Sequence, residues 1–289
     1  MIRRTAWWLL RWLAGFAAGL TLAAAFLVWR LSSAPVSLDY LIPSVARALA
    51  GTESGLVVGI DHTLLSLGPG PTVEIVARGV HLRRRDGEAQ LTLPELDIGF
   101  SLRAALRGIV APTGIVLREP ALRLARAADG TSHLGLGAAT ADNGDWGEQL
   151  LRDLAAAPDR QGPLGYLTQA AIRNAVLTVD DRALGLAWRA KRVDATLLRG
   201  DRGVSGDLSL IAVEPGGAEA ELSGRLRFVT GESRLSVALS FAALRPALFA
   251  AAAPALAPLA ALELPFSGQG RVELDTAALR LGDAWCDLT

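Results

Sequence analysis

Two hydrophobic periods divide this chain. From Trp12 to Trp29 the residues are apolar and uncharged, framed by Arg3, Arg4 and Arg11 before them and Arg30 after. At about 1.5 Å rise per residue such a run makes a helix of roughly 27 Å, close to the thickness of a bilayer hydrocarbon core. The pattern predicts a single transmembrane helix. Trp7, Trp8 and Trp12 at one end and Trp29 at the other are its expected membrane-interface residues, since amphipathic rings settle at the headgroup level. Three arginines precede the run and one follows closely, so the positive-inside bias places the N-terminus in the cytoplasm and the bulk of the chain across the membrane. A cleaved secretory signal is the competing reading, but its one small-residue exit, Ser32-Ser33-Ala34, is followed at once by the obstructing Pro35. Gly15 and Gly19 form a G-x-x-x-G pair that permits close approach of a second span, a spacing that also arises by chance in Ala/Gly-rich sequence.

Beyond the span, Leu38, Leu41, Ile42, Val45 and Leu49 recur at helical spacing and Gly51 follows as a stop, predicting a short amphipathic helix over Val36 to Ala50. From Gly55 the period becomes two. Turn residues punctuate it at Gly68 to Pro71, Asp86-Gly87, Asp129-Gly130, Asp180-Asp181, Gly200 to Gly203, Pro215 to Gly217 and Gly231. Helical or irregular interruptions are expected at Ser101 to Arg107, Trp146 to Ala157 and Ala242 to Leu262, where Pro246, Pro254 and Pro258 forbid one long helix.

The alternation is clearest in the second half. In Ala218 to Phe228, the apolar Ala220, Leu222, Leu226 and Phe228 alternate with Glu219, Glu221, Ser223, Arg225 and Arg227; Leu235, Val237, Leu239 and Phe241 then alternate with Arg234, Ser236 and Ser240. Val193, Ala195, Leu197, Leu208 and Leu210 repeat the pattern at hairpin cadence. One sheet face is therefore apolar and the other compatible with water. Leu208, Leu210, Leu222, Leu226, Phe228, Leu235, Val237, Leu239 and Phe241 are the candidates for an apolar groove, and the same periodicity fits a packed sandwich core equally well.

Composition narrows the class. Hydrophobic residues make up 51% of the chain and the formal net charge is zero, which argues against disorder and against the electrostatic footprint of a nucleic-acid binder. Cys286 is the only cysteine, so no intramolecular disulfide can form, and stability rests on packing and strand pairing. As an isolated thiol without a base, Cys286 reads as a small buried apolar residue.

Catalytic signatures are absent from the sequence. His62, His81 and His133 show neither i,i+4 pairing nor H-E-x-x-H spacing, so neither a zinc site nor any other metal centre is expected. Asp61 and His62 are strand neighbours that face opposite ways, and Asp180-Asp181 reads as a solvated turn. No nucleophile elbow, P-loop or dinucleotide fingerprint occurs, and the expectation is a protein without catalytic residues or a cofactor.

Motif order adds a family resemblance. Val73-Glu74-Ile75, Gly79-Val80-His81-Leu82, Leu93 to Ile98, Ser101 to Gly108, Ile115 to Pro120 and Leu122-Arg123-Leu124 form a strand, turn, strand, short helix and Glu-Pro strand series. It resembles the N-terminal region of AsmA-like proteins. Gly165-Tyr166-Leu167, Ile172 to Ala175, Val179 to Asp181, Leu186-Ala187-Trp188 and Leu264 to Gly268 are similar to the YhdP-type branch, to which TamB is related. The resemblance implies a mainly β protein with short helices: an N-terminal transmembrane helix, then a curved antiparallel β-sheet forming a groove. It divides the chain into a cytoplasmic tip and anchor (1–35), a periplasmic β-rich domain (36–262) and the start of a further groove repeat (263–289), with the chain expected to be a portion of a longer protein.

The function implied is phospholipid movement between the inner and outer membranes of a bacterial envelope, and with it outer-membrane integrity. The expected partners are phospholipid acyl chains, the inner membrane and envelope proteins. A non-catalytic envelope scaffold with a closed sheet core is the alternative, separated from the first by whether the apolar face is open or packed.

Overall fold

The computed structural model describes residues 36–41, 56–68, 72–84, 90–127, 132–136, 163–182, 186–213, 217–229, 234–245, 261, 264–275 and 280–288, with ten positions between 12 and 30. The chain is mainly β. Its strands are β1 (Val36–Ser37), β2 (Leu56–Leu67), β3 (Thr72–Arg84), β4 (Gln90–Ser101), β5 (Pro112–Arg118), β6 (Ala121–Arg126), β7 (Ser132–Leu136), β8 (Gln169–Asp181), β9 (Leu186–Gly200), β10 (Gly203–Val213), β11 (Glu219–Val229), β12 (Arg234–Leu244), β13 (Phe266–Asp275) and β14 (Arg280–Leu288). All belong to one sheet that does not close, ordered β1-β2-β3-β4-β5-β8-β9-β10-β11-β12-β13-β14, with β6 beside β8 and β7 beside β6.

The sheet is mixed, which corrects the antiparallel expectation. β8 runs parallel to both β5 and β6, pairing Gly114–Arg118 with Gln169–Arg173 and Ala121–Arg126 with Val176–Asp181. β5 and β6 thus form one interrupted strand beside β8. Hairpin cadence could not reveal this, because period-two patterning states which face a residue takes but not which strand it pairs with.

Among the described residues between strands, helix is scarce. One α-helical turn, α1 (Leu102–Ala105), lies inside the predicted Ser101 to Arg107 interruption, with the Ser101 hydroxyl accepting from the Ala104 amide at 3.2 Å as an N-cap. Together with the 3-10 turn Pro163–Tyr166 it caps one end of the sheet, where Ala104, Ala111 and Tyr166 are buried together. The amphipathic helix expected from Val36 is not formed at its start: Val36–Ser37 pairs with Leu64–Leu65, and Asp39–Leu41 is a 3-10 turn. Asp39 accounts for this, since its carboxylate accepts the Thr63 amide at 2.7 Å and ties the segment to the sheet edge. Residues 42–50, the 146–157 interruption and most of 246–262 lie outside the described residues.

Among the described residues no helix is long and apolar enough to cross a membrane. The ten described positions from Trp12 to Arg30 have helical backbone, and Trp12, Phe16, Leu22, Phe26 and Trp29 are each more than 60% exposed. The rest of the predicted span, Trp7 and Trp8 included, lies outside the described residues.

A transverse crease crosses the strands. Gly79 (φ 61°), Glu119 (φ 54°) and Asn174 (φ 53°) all adopt left-handed backbone, and the registers place them near one line. The line continues into the register breaks at Ile211 of β10 and beyond Phe241 of β12, where Ala243 has φ 56°. At each break the alternation shifts by one residue, so Ala77 and Val80, or Ile172 and Ala175, point to the same side. This keeps one continuous apolar face: Ala77, Val80 and Leu93 cluster with Ile60, Leu96 and Leu117, and Ala175, Ala190, Val193 and Leu210 cluster with Ile172 and Leu222.

Candidate functional site

The apolar face of β9 to β14 is built in transverse rows. Residues paired across neighbouring strands project to the same side. One row runs Val193, Leu210, Leu222, Phe241, Gly268, Leu288; the next runs Ala195, Leu208, Gly224, Leu239, Gly270, Cys286. Leu197, Gly206, Leu226, Val237, Val272 and Ala284 make a third, and Val204, Phe228, Leu235 and Leu274 a fourth. All nine groove candidates, Leu208, Leu210, Leu222, Leu226, Phe228, Leu235, Val237, Leu239 and Phe241, share this face.

Burial grades along the rows. Val193 and Leu210 are buried, while Leu208 and Leu226 are 37% and Leu239 is 49% exposed. The principal contacts of each strand are with its sheet neighbours, and among the described residues no second sheet covers this side. Glycines leave relief between the large side chains. At Gly268 a Cβ would fall 2.7 Å from both the Phe241 ring and the Leu288 side chain, so only glycine lets these two close over the backbone. Phe241 also meets Phe266 edge-on, with centroids 5.2 Å apart.

The sequence missed the extent of this surface. Ile172, Ala175 and Leu177 on β8, then Ile115, Ile98 and Ile75 on β5, β4 and β3, carry the same face beyond β9. The signal was present in each strand's alternation but hidden by the phase change at the crease. Cys286 departs from its expectation: it is exposed, because it lies on β14 at the end of the strand order, where nothing among the described residues lies over it.

Polar groups on the reverse face form short-range pairs. Arg118 Nε lies 2.7 Å from Asp97 Oδ2 and 3.0 Å from Glu95 Oε1, and Glu95 also meets Arg78 at 2.8 Å. The bond to buried Asp97, reinforced by its charge and by Glu95 and Glu74, holds the Arg118 pKa above its ordinary value. Among the described residues Oδ1 of Asp97 is buried without a hydrogen-bond partner. At the crease Asp194 accepts the Asn174 amide at 3.0 Å and Arg192 Nε at 2.8 Å, and these contacts lower its pKa against the opposing effect of burial. His62 pairs with Asp39 at 3.5 Å and His81 with Asp61 at 3.6 Å, so the two histidines serve separate carboxylates. Asp180 and Asp181 end β8 and meet Arg182 and Arg126, each at 3.6 Å. Among the described residues no three His, Cys, Asp or Glu side chains converge as a metal site.

Compared with known protein families, curated proteins and solved structures, the chain matches none.

Proposed function

We propose that this protein is an envelope lipid conduit: an inner-membrane-anchored, AsmA-like β-groove that carries phospholipid acyl chains through the periplasm toward the outer membrane. The observation that carries this reading is the apolar face running through β8 to β14, with Leu208, Leu226 and Leu239 left accessible. A sheet with one apolar face needs an apolar covering, and each methylene removed from water contributes about 0.8 kcal/mol. Acyl chains satisfy both requirements. The chemistry is solvation, with no bond made or broken. Exposed apolar side chains among the ten described helical positions between 12 and 30, in a sequence run flanked by arginines, support the anchor.

A photo-crosslinking residue placed at Val237 or Leu239 in cells is expected to capture phospholipid, while one at Ser236 or Ser240 on the reverse face captures none. Capture of protein alone at the inward positions, with the fold intact, would instead establish a sheet covered by polypeptide and the scaffold reading.

A further inference from the structure

The reverse face of β11 to β13 holds a second, chemically distinct concavity. Its floor is β12, whose outward residues Ser236, Ala238 and Ser240 are all small. Its walls are the longer side chains of the neighbours, Arg225 and Arg227 on β11 and Arg271 on β13, with Arg234 at one end. The registers explain the hollow: Ala238 lies between Arg225 and Arg271, and Ser236 between Arg227 and Glu273. A short floor flanked by long walls leaves about 610 Å³, and an adjoining hollow of about 240 Å³ extends it past Ser240 and Gln269.

Four arginines line the larger hollow against two carboxylates, Asp207 and Glu273, in a chain whose net charge is zero. Asp207 is engaged by Arg225 at 3.4 Å. Among the described residues neither Arg227 nor Arg271 has an ion-pair partner. Guanidinium groups lining one hollow together with small hydroxyl-bearing residues suit a tetrahedral oxyanion, because the fork donates two parallel bonds while a serine donates a third.

We propose that this trough is a binding site for a phosphate-bearing polar group, separate from the acyl-chain face. The two faces are opposite sides of one sheet, so a single lipid cannot occupy both, and the trough's ligand binds independently of the groove. The phosphate is that of a lipid headgroup or of a free phosphate compound, two sources that share the same chemistry.

The test is titration calorimetry on the full chain in neutral-detergent micelles, with glycerophosphoglycerol and inorganic phosphate as probes. Saturable, salt-sensitive binding is expected, weakened at least about tenfold in Arg227→Ser/Arg271→Ser and less in Arg227→Lys/Arg271→Lys, which keeps charge without the fork. Tighter binding of glycerophosphoglycerol assigns the site to headgroups, and equal or tighter binding of phosphate assigns it to free phosphate. A charge-matched control, Arg123→Ser/Arg189→Ser, removes exposed arginines outside the trough and should bind as the parent does. Absence of saturable binding to the folded parent, or equal loss in the control pair, would overturn the proposal.

Discussion

Asp194 illustrates how single residues hold the sheet in shape. Its carboxylate accepts the amide of Asn174, which has left-handed backbone at the crease, and Arg192 completes the pair. Because the folded-state pKa is lowered, the unfolded chain binds the proton more readily; the stabilisation is present above the ordinary carboxylate pKa and is lost as pH falls through the lower folded value. Asp194→Asn should therefore be less stable than the parent by about 1 kcal/mol at neutral pH, with the difference shrinking below about pH 4. Urea midpoints for both proteins between pH 7 and pH 2 check this. A gap that stays constant across that range would mean that the charge contributes nothing and that shape alone distinguishes the two side chains.

The crease belongs to the scale of elements, where glycine chemistry decides the outcome. Gly79 has φ 61°, and a Cβ there would fall within 2.1 Å of the Asp61 carboxylate. Gly79→Val is expected to lose about 2–3 kcal/mol in chemical denaturation, combining backbone strain with displacement of Asp61. Gly59, one strand away, meets nothing closer than 3.8 Å and carries no positive φ, so Gly59→Val should stay within about 0.5 kcal/mol of the parent. Comparable losses at both sites would locate the cost in β2 and β3 generally and not in the crease. The same elements show what was legible beforehand. The hairpins β9 to β12 follow from strict alternation and from the Gly200 to Gly203 turn. Glu119-Pro120 stood within a strand motif in the sequence, with no sign of the left-handed residue that realigns β5 with β6. The parallel docking of β8 was illegible, since it depends on how the chain returns between β7 and β8 and no local period encodes that path.

At the scale of the molecule, the open sheet sets a length for whatever lies upon it. The apolar face runs about 35 Å along β12 and roughly 29 Å across β8 to β14, both longer than the roughly 20 Å of an extended sixteen-carbon chain. That the nine candidates share one side of the sheet was legible in the sequence, because alternation alone sets it. Whether that side is open depends on what packs above it, which no local pattern states. Ligand length reads this out directly. In a series of lysophospholipids from eight to sixteen carbons, kept below their micellar concentrations, affinity for the full chain should rise by up to about fourfold per methylene. The thermal midpoint at fixed ligand should rise in parallel, since a ligand bound only by the native state stabilises it through mass action. No plateau is expected within the series, because even the longest chain fits on the face. A plateau at eight to ten carbons would mark a short closed pocket, and indifference to length would show that the protein covers Leu208, Leu226 and Leu239 itself, so that no acyl chain reaches them.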